Sequence, residues 1–262
     1  MSPRSKQVAV VTGASAGLGR ELARLFAADG HALVLVARRE DRLRALAEEL
    51  REAHGVDAHV LALDLADPSA APTLARWLAD AGLEVEFLVN NAGFGSTGAF
   101  AELDVAGELG QIDVNVRALV HLTRLLLPGM RGRGRGRILN LGSTAGFQPG
   151  PYMATYYASK AFVNSFSEAL AHELAGTGVS VTVSCPGPTA TEFGDIAGNA
   201  KNALFTQGTV ASAEDVARHA YRAMSKGKRV AIPGLLNKVS ARGATLLPRG
   251  LIVRIAGRLN RP

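Results

Sequence analysis

Short apolar runs alternate along the chain with longer stretches in which apolar residues recur with helical periodicity. The seven short runs, rich in β-branched residues, cover 8–11, 32–37, 60–63, 86–89, 137–141, 179–184 and 229–232. Most of them are continuously apolar rather than alternating, which is typical of strands that are buried on both faces of a sheet. The pattern therefore predicts seven buried β-strands.

The stretches between these runs have the spacing of amphipathic helices. Leu18, Leu22, Leu25 and Phe26 form one apolar stripe, and Asp29-Gly30 ends it as a left-handed C-cap does. Similar stretches cover 40–53, 69–79, 108–127, 155–175 and 213–225. This alternation predicts an α/β fold, a doubly wound parallel seven-stranded sheet with helices on both faces. Such a fold binds ligands in the loops at the carboxyl ends of its strands.

The composition is that of one globular domain over residues 1–262. The chain is 47% hydrophobic and 20% charged, and no Pro/Gly/Ser-rich spacer divides it. The apolar part of the N-terminus is too short for a secretory signal, and no run of about 18 apolar residues could span a membrane. The only cysteine, Cys185, permits no internal disulfide. We therefore expect a reducing, cytoplasmic location.

A glycine-rich loop, Thr12-Gly13-Ala14-Ser15-Ala16-Gly17-Leu18-Gly19, directly follows the first predicted strand. Its glycines permit positive φ and let the next helix approach a diphosphate, which the helix N-terminus stabilises by about 0.3–1 kcal/mol. The spacing is not GxGxxG, and the Lys-Ser/Thr of a P-loop is missing, which disfavours nucleoside triphosphate hydrolysis. A glycine-rich turn without a ligand is the alternative. The predicted dinucleotide contacts are Gly13, Ser15, Ala16, Gly17, Leu18 and Gly19.

Two arginines follow the second predicted strand, where an enzyme that binds a ribose 2'-hydroxyl would carry Asp or Glu. Arg38 and Arg39 instead offer guanidinium groups, which pair with a phosphate through forked hydrogen bonds. This favours NADP over NAD. Alternatively, the two arginines simply start the solvated face of a helix together with Glu40 and Asp41.

Further motifs follow the later strands in a characteristic order. They are Asn90-Asn91-Ala92-Gly93, Asn115, Ser143, Tyr156 with Lys160, and Pro186-Gly187. Together with the glycine loop, over about residues 7 to 190, they resemble the short-chain dehydrogenase/reductase family. The resemblance implies a Rossmann fold, a nicotinamide cofactor and a small carbonyl or alcohol substrate. We also expect a homo-oligomer, either a dimer or a tetramer.

The catalytic residues that this resemblance implies are Tyr156, Lys160, Ser143 and Asn115. Tyr156 and Lys160 are one helical turn apart, so their side chains can reach one ligand. A nearby ammonium and an oxidised nicotinamide favour the phenolate, so we expect a lowered pKa for Tyr156 and a role as general acid/base. By the resemblance, Lys160 also holds the nicotinamide ribose and Ser143 hydrogen-bonds the substrate oxygen. Asn115 would kink its helix and position a water that links Lys160 to solvent.

The resemblance also implies cofactor contacts from several loops. Asp64 and Leu65 would contact the adenine. The backbone after the fourth strand, at Asn91, Ala92 and Gly93, would approach the cofactor. The loop after the sixth strand, with Pro186, Gly187 and Thr189, would contact the nicotinamide, and Tyr156 and Lys160 also contact the cofactor. Asn90 is expected to steady the sheet, and Tyr157, which has no lysine four residues on, is expected to pack. Thr144 is a fallback for Ser143.

Other signals are weaker. The histidines lack metal-ligand spacing, so we predict no metal site. The sequence MRGRGRGR at 130–137 has no interleaved aromatic residues, which favours a basic solvated loop over nucleic-acid binding. Residues 192–210 occupy the place where relatives carry a substrate lid. The apolar residues in this segment favour an apolar substrate, and they are Phe193, Ile196, Leu204 and Phe205.

The net charge of +6 belongs to the last segment, residues 235–262, which forms a basic amphipathic C-terminal extension. It holds six basic residues, Lys238, Arg242, Arg249, Arg254, Arg258 and Arg261, and no acidic ones. After the breakers Gly243, Pro248 and Gly250, a helix would place Leu251, Ile252, Ile255 and Leu259 on one face. The extension could dock on its own domain or a sister subunit, on an anionic membrane surface, or on an acidic or phosphorylated carrier. Peripheral contact with the inner membrane surface therefore stays open.

The sequence thus predicts an NADP(H)-dependent oxidoreductase that acts on a ketone or a secondary alcohol. A nucleotide-sugar epimerase or dehydratase would need a longer C-terminal sugar domain than the segment after Pro186-Gly187 provides. A non-catalytic NADP sensor is the remaining alternative. Relatives of that kind commonly lack the tyrosine or the lysine, and both are present here.

Overall fold

A computed structural model describes residues 7–199 and 210–261 of the chain. Its strands are β1 (Gln7–Thr12), β2 (Ala32–Ala37), β3 (Ala58–Ala62), β4 (Glu84–Asn90), β5 (Gly136–Leu141), β6 (Val179–Ser184), β7 (Thr189–Ala190), β8 (Ala211–Ser212) and β9 (Val230–Ala231). Seven of them form a parallel sheet in the order β3-β2-β1-β4-β5-β6-β9. The predicted seven-stranded parallel sheet is confirmed. The pair β7–β8, which the sequence did not predict, lies apart from it.

Helices cover both faces of the sheet. They are α1 (Gly17–Ala28), α2 (Glu40–His54), α3 (Ala70–Asp80), α4 (Val105–Ile112), α5 (Leu119–Gly132), α6 (Ala154–Glu173), α7 (Phe193–Ala197), α8 (Ala213–Ser225), α9 (Leu235–Leu246) and α10 (Arg249–Asn260). The strand order reverses between β1 and β4, and a doubly wound sheet binds ligands in the crevice at such a point.

The two faces of the sheet explain why the strands are so apolar. Along β1, Ala9 and Val11 pack with α1, α2 and α8, whereas Val8 and Val10 pack on the other face with α3 and α5. Every residue of such a strand is buried, because successive side chains point to opposite faces. Burying one large side chain such as Phe26 or Leu74 contributes about 1.5–3 kcal/mol.

The helix predicted over 108–127 differs from the structure in length and regularity. The helical segment runs from Val105 to Gly132, and a π-helical turn, Asp113–Ala118, interrupts it between α4 and α5. Asn115 lies inside this turn. Turns of this kind are frequent at functional sites because they aim one side chain away from the regular helical direction.

The C-terminal segment forms two helices, and one expectation about it was wrong. Gly243 does not end a helix but lies inside α9, where the cost of a helical glycine is only about 1 kcal/mol. In α10 the buried residues are Ile252, Ala256 and Asn260. Asn260 is buried there because its side chain bonds to Tyr157 and to the carbonyl of Pro151. None of the described helices is long and apolar enough to cross a membrane.

Candidate active site

A cleft of about 980 Å3 opens at the carboxyl ends of the central strands. Every predicted site residue except Gly19 and Asn115 lines this cleft, and these two lie directly behind its wall. Its volume is at the upper end of the range that small-molecule and cofactor sites occupy, about 300–1,000 Å3. The loops after six different strands therefore converge on one site.

The glycine loop forms one end of the cleft and is packed too tightly for side chains. Gly13 and Gly17 have φ angles of +65° and +51°, which favour glycine. A Cβ atom at Gly13 would lie only 2.7 Å from Asn91 Nδ2, and one at Gly19 would overlap the carbonyl oxygen of Gly13. The Asn91 amide in turn donates to the carbonyl of Thr12 over 2.8 Å. The loop is thus a cradle that only a bare backbone can form.

The start of α1 suits an anion. Its N-cap, Ala16, has no side chain that could accept a hydrogen bond from the first turn, and that turn holds no acidic residue. The N–H groups of the first turn therefore have no intrahelical or capping partner. A diphosphate would satisfy them and interact favourably with the helix dipole. The residues present thus fit the diphosphate of a dinucleotide.

The basic residues after β2 contact an acidic residue, Glu192, from the loop after β7. Arg39 contacts Ser15 Oγ through Nε at 3.3 Å and Glu192 Oε2 through Nη1 at 2.8 Å. Arg42 donates to the other carboxylate oxygen of Glu192 over 2.5 Å. Hydrogen bonds from these two guanidinium groups lower the pKa of Glu192. Arg38 is exposed, lines the cleft and has no hydrogen-bond partner among the described residues.

Sequence reasoning missed the roles of Arg42 and Glu192. A signal for Arg42 was present, because it lies in the first turn of α2, three residues after the N-cap Arg39. No local pattern links Glu192 to either arginine, since about 150 residues separate them along the chain. A surface ion pair of this type is worth only about 0–1 kcal/mol, so a stronger anion could displace the carboxylate.

Tyr156, Lys160 and Ser143 lie together in the middle of the cleft. Lys160 Nζ is 5.7 Å from the centre of the Tyr156 ring and donates to the carbonyl of Leu141 over 2.7 Å. The Ser143 hydroxyl is close enough to the Tyr156 phenol to lower its pKa, and it donates to the carbonyl oxygen of Pro186 over 3.3 Å. A phenol, an ammonium and a second hydroxyl thus converge where a substrate oxygen could bind.

Burial shifts the pKa values of both Tyr156 and Lys160. Burial raises the pKa of Tyr156 above its usual range, and the nearby Ser143 hydroxyl opposes this only in part. Burial also lowers the pKa of Lys160 to about 8. Both shifts have one physical cause, because desolvation disfavours the charged form of each group. The expected lowering of the phenol pKa concerns the protein with an oxidised nicotinamide beside the ring, and it stays a prediction.

Asn115 holds the loop after β4 against the catalytic helix. Its Oδ1 accepts from the backbone N–H of Phe94 at 3.1 Å, and its Nδ2 donates to the Phe94 carbonyl at 2.9 Å and to Ser159 Oγ at 3.0 Å. A Cβ atom at Gly93 would lie 2.9 Å from Asn115 Oδ1 and 3.5 Å from Lys160 Nζ. Gly93 thus lies between the side chains of Lys160 and Asn115, where a larger residue would not fit.

Other predicted residues have structural contacts. Asn90 donates to Asn140 Oδ1 over 2.8 Å and to Thr123 Oγ1 over 3.1 Å, which joins β4 to β5 and α5. The Tyr157 hydroxyl donates to Asn260, and Cys185 is fully buried, which raises the pKa of its thiol to about 12. Thr144 bonds to the Pro186 carbonyl through both its N–H and its hydroxyl. In residues 7–199 and 210–261 we find no cluster of His, Cys, Asp and Glu suited to a metal.

The other end of the cleft is apolar. The Phe193 ring packs against the Tyr156 ring at 5.0 Å, and Ile196, Val239 and Ile255 also line this end. The predicted lid residues Leu204 and Phe205 lie outside the described residues. Across the described part of the chain, the basic side chains that line the cleft are Arg38, Arg39 and Lys160. None of these three belongs to the apolar end.

The position of the cleft and the groups around it define the class of protein. The cleft lies where the strand order reverses, a cradle for a diphosphate forms one end, and an acid–base pair lies beside it. These features are those of a dinucleotide-binding oxidoreductase. Residues 7–202 match the model of the short chain dehydrogenase family, and the chain belongs to this family.

Known proteins of the family resemble this chain over most of its length. It is 43% identical over 218 residues to sulfoacetaldehyde reductase 2 of Chromohalobacter salexigens, a match that covers 80% of this chain and 85% of the relative. A short-chain dehydrogenase from Sphingobium yanoikuyae, solved with NADPH, has a TM-score of 0.82 at 36% identity and covers 92% and 91% of the two chains. A relative from Burkholderia phymatum, solved with NAD, has a TM-score of 0.81 at 29% identity, with 92% and 94% covered.

Proposed function

We propose that the protein is an NADP(H)-dependent oxidoreductase that interconverts an apolar ketone and its secondary alcohol, with Tyr156 as general acid/base. The observation that carries this proposal is the buried group of Tyr156, Ser143 and Lys160 beside the diphosphate cradle. The nicotinamide, when bound, supplies or accepts the hydride. The protein's own residues then have to orient the carbonyl and handle the proton.

The proton has a defined origin in this arrangement. The raised pKa keeps Tyr156 protonated, so its hydroxyl can donate to a carbonyl oxygen as negative charge develops there. The Ser143 hydroxyl, which lies beside the Tyr156 phenol, stabilises the same oxygen. Lys160, whose pKa is about 8, can return a proton to the tyrosine near neutral pH. Asn115 is a positioning residue in this scheme, because it holds the backbone beside Lys160.

The preference for NADP rests on the basic residues after β2. Arg38 is exposed at the cleft, and Arg39 is next to Ser15, so both can reach a phosphate on the adenosine ribose. Glu192 accepts hydrogen bonds from Arg39 and Arg42, and the 2'-phosphate would compete with it. Arg38→Asp should weaken NADPH binding about tenfold or more and reduce the NADPH/NADH preference. An unchanged ratio of the two Kd values would contradict this assignment.

The substrate preference rests on the apolar end of the cleft. A sulfonate or carboxylate substrate would need a cation there, and the described lining offers Phe193, Ile196, Val239 and Ile255 instead. We therefore propose a bulky apolar ketone for this chain rather than the substrate named for its sulfoacetaldehyde reductase relative. The segment that begins at Glu192 would act as the lid over it.

A direct test is NADPH consumption with a panel of aliphatic, aromatic, steroid and anionic short-chain carbonyls. We expect turnover with apolar ketones and a much lower kcat/KM for sulfoacetaldehyde. No turnover with any carbonyl, despite NADPH binding, would favour a non-catalytic NADP-binding protein.

We also propose a homo-oligomer, dimer or tetramer. Val105, Leu109 and Ile112 are 70%, 56% and 45% exposed along α4, which is more apolar surface than a solvated helix needs. Light scattering of the purified chain tests this, and a monomer at micromolar concentration would contradict it.

A further inference from the structure

The two C-terminal helices expose a large apolar surface. More than half of the large hydrophobic residues that are exposed in the described chain lie in α9, in α10 or between them. The most exposed are Leu246 at 84%, Leu235 at 78%, Leu236 at 70% and Val239 at 60%, and Leu251 and Ile255 are also exposed. We call this surface, with the basic residues between these side chains, the C-terminal face.

Both helices are held on the domain, so the orientation of the C-terminal face is defined. Ile252 and Ala256 are buried beneath α10, and Asn260 bonds to the Tyr157 hydroxyl and to the Pro151 carbonyl, both at 3.2 Å. On α9, Ala241 is buried, and Asn237 lies directly against Gly187. The exposed apolar side chains of the two helices are therefore left uncovered by the rest of the described domain.

The charge on this surface has one sign. Lys238, Arg242, Arg249, Arg254, Arg258 and Arg261 are all exposed. No acidic residue occurs from 235 to the end of the sequence, and none of the six forms an ion pair with a described residue. Exposed aliphatic side chains beside unpaired cations are typical of helices that lie in the interface of an anionic membrane. Each such cation contributes about 1 kcal/mol near an anionic lipid surface.

The C-terminal face also borders the cleft. Val239 and Ile255 line the apolar end of the cleft while remaining 60% and 43% exposed, so they lie at its rim. Leu247, 46% exposed, lines it as well. A surface that covered the C-terminal face would therefore adjoin the entrance for the substrate.

We propose that the C-terminal face docks on an anionic lipid bilayer and that the apolar end of the cleft then opens toward the acyl chains. An apolar ketone dissolved in the bilayer could enter across Val239 and Ile255 without crossing water. This last step rests on the proposed function, whereas the docking does not depend on which reaction the protein performs.

A second copy of the chain fits the C-terminal face less well. A two-fold contact would bring the same patch of each copy together and so place cations against cations, with no carboxylate within the segment to neutralise them. A bilayer with anionic headgroups supplies both the negative charge and the apolar layer.

The test is sedimentation of the full chain with vesicles of phosphatidylcholine alone and with added phosphatidylglycerol, without cofactor or substrate. We expect binding to the anionic vesicles only, weakened by salt. Leu235→Ser/Leu246→Ser and Arg242→Glu/Arg254→Glu should each lower the anionic-vesicle affinity about tenfold or more. These four side chains are exposed, so folding should be retained, which circular dichroism checks.

Matched controls lie elsewhere on the surface. Phe100→Ser removes an apolar side chain that is 66% exposed, and Arg124→Glu/Arg131→Glu reverses two exposed charges on α5. Neither should change vesicle binding. Failure to bind anionic vesicles, or equal losses in test and control variants, would overturn the proposal. A lower mass of the leucine variant in light scattering would also overturn it, because the face would then be a contact between copies. NADPH consumption is measured separately, so failure of docking leaves the proposed reaction untouched.

Discussion

The two ends of the cleft are built in opposite ways. At the glycine loop, backbone contacts backbone, and added Cβ atoms at Gly13 and Gly19 would collide with atoms that cannot move. At the C-terminal helices, aliphatic side chains line the wall, and a Cβ atom at Gly243 would meet nothing within 4 Å. The first end admits only glycine at Gly13 and Gly19, whereas the second end admits many side chains. Cofactor binding should therefore be sensitive to small substitutions and substrate binding tolerant of them.

The largest effect is expected between the two ends, at Tyr156. Tyr156→Phe removes the proton donor but keeps the ring that packs on Phe193, so kcat should fall about 10²–10⁴-fold while NADPH binding is retained. Tyr157→Phe is the matched control, because it removes only the hydrogen bond to Asn260. It should lower stability by about 1–2 kcal/mol and leave most of the turnover. Near-normal rates for Tyr156→Phe with a confirmed substrate would refute the assignment of the acid.

The comparison of the two ends is tested directly by a pair of alanine substitutions. Gly19→Ala forces a methyl group onto the Gly13 carbonyl, so NADPH binding should weaken about 10- to 100-fold as the cradle is displaced. Gly243→Ala occupies open space within α9 and should stabilise the protein by about 0.5–1 kcal/mol. Calorimetric titration with NADPH and thermal unfolding measure the two effects. Equal losses of NADPH affinity in both variants would show that the ends do not differ.

A smaller effect is expected at the ion pairs of Glu192. Glu192→Gln removes the charge that competes with a phosphate for Arg39 and Arg42, so the Kd for NADPH should fall about two- to fivefold. The Kd for NADH, which carries no 2'-phosphate, should not change. Glu214→Gln, which breaks the exposed pair with Arg218, serves as the control. A parallel change for both cofactors would mean that Glu192 acts on the lid and not on the phosphate.

The pH dependence of stability tests the burial of Lys160. Its pKa is lowered to about 8 in the folded protein from 10.5, so the unfolded chain binds more protons between these values. Relative to a Lys160→Met variant, the free energy of unfolding should therefore rise with pH, by about 1–3 kcal/mol between pH 8 and 10. The comparison with the variant is needed because burial raises the pKa of Cys185 to about 12, which opposes the rise equally in both proteins. Lys160→Met should lose this rise, as measured by urea unfolding at several pH values. The window ends at pH 10 because the raised pKa of Tyr156 favours unfolding above it.

Sequence patterns predicted the sheet, most helices and the residues around the cofactor end. The reason is physical: residues 8–11 of β1 are buried between the helices on the two faces of the sheet and are therefore apolar, and Gly13 and Gly17 have positive φ. These constraints are local and leave a trace in the residues themselves. The pair β7–β8 has only two residues in each strand, which is too short for a periodicity to develop.

Long-range contacts account for what the sequence did not reveal. The burial of Asn260 in α10 was not predicted because the residue is polar and its partner Tyr157 lies 103 residues away. Glu192 bonds to Arg39 from a distance of 153 residues along the chain. The raised pKa of Tyr156 likewise depends on how many groups surround the ring, which spacing in the sequence does not determine. The sequence shows which functional groups are present, but it does not show how strongly the folded protein shields each group from water.

The bond between Tyr157 and Asn260 limits how the substrate end could be exchanged between relatives. Tyr156 and Tyr157 are consecutive on α6, so a helix that faces the cleft with one ring presents the other to the C-terminal helices. A chimera that carried another protein's last two helices would need an acceptor at position 260. Without it, the buried phenol would remain unpaired at a cost of about 1–3 kcal/mol. Specificity could then be transplanted only together with this one contact.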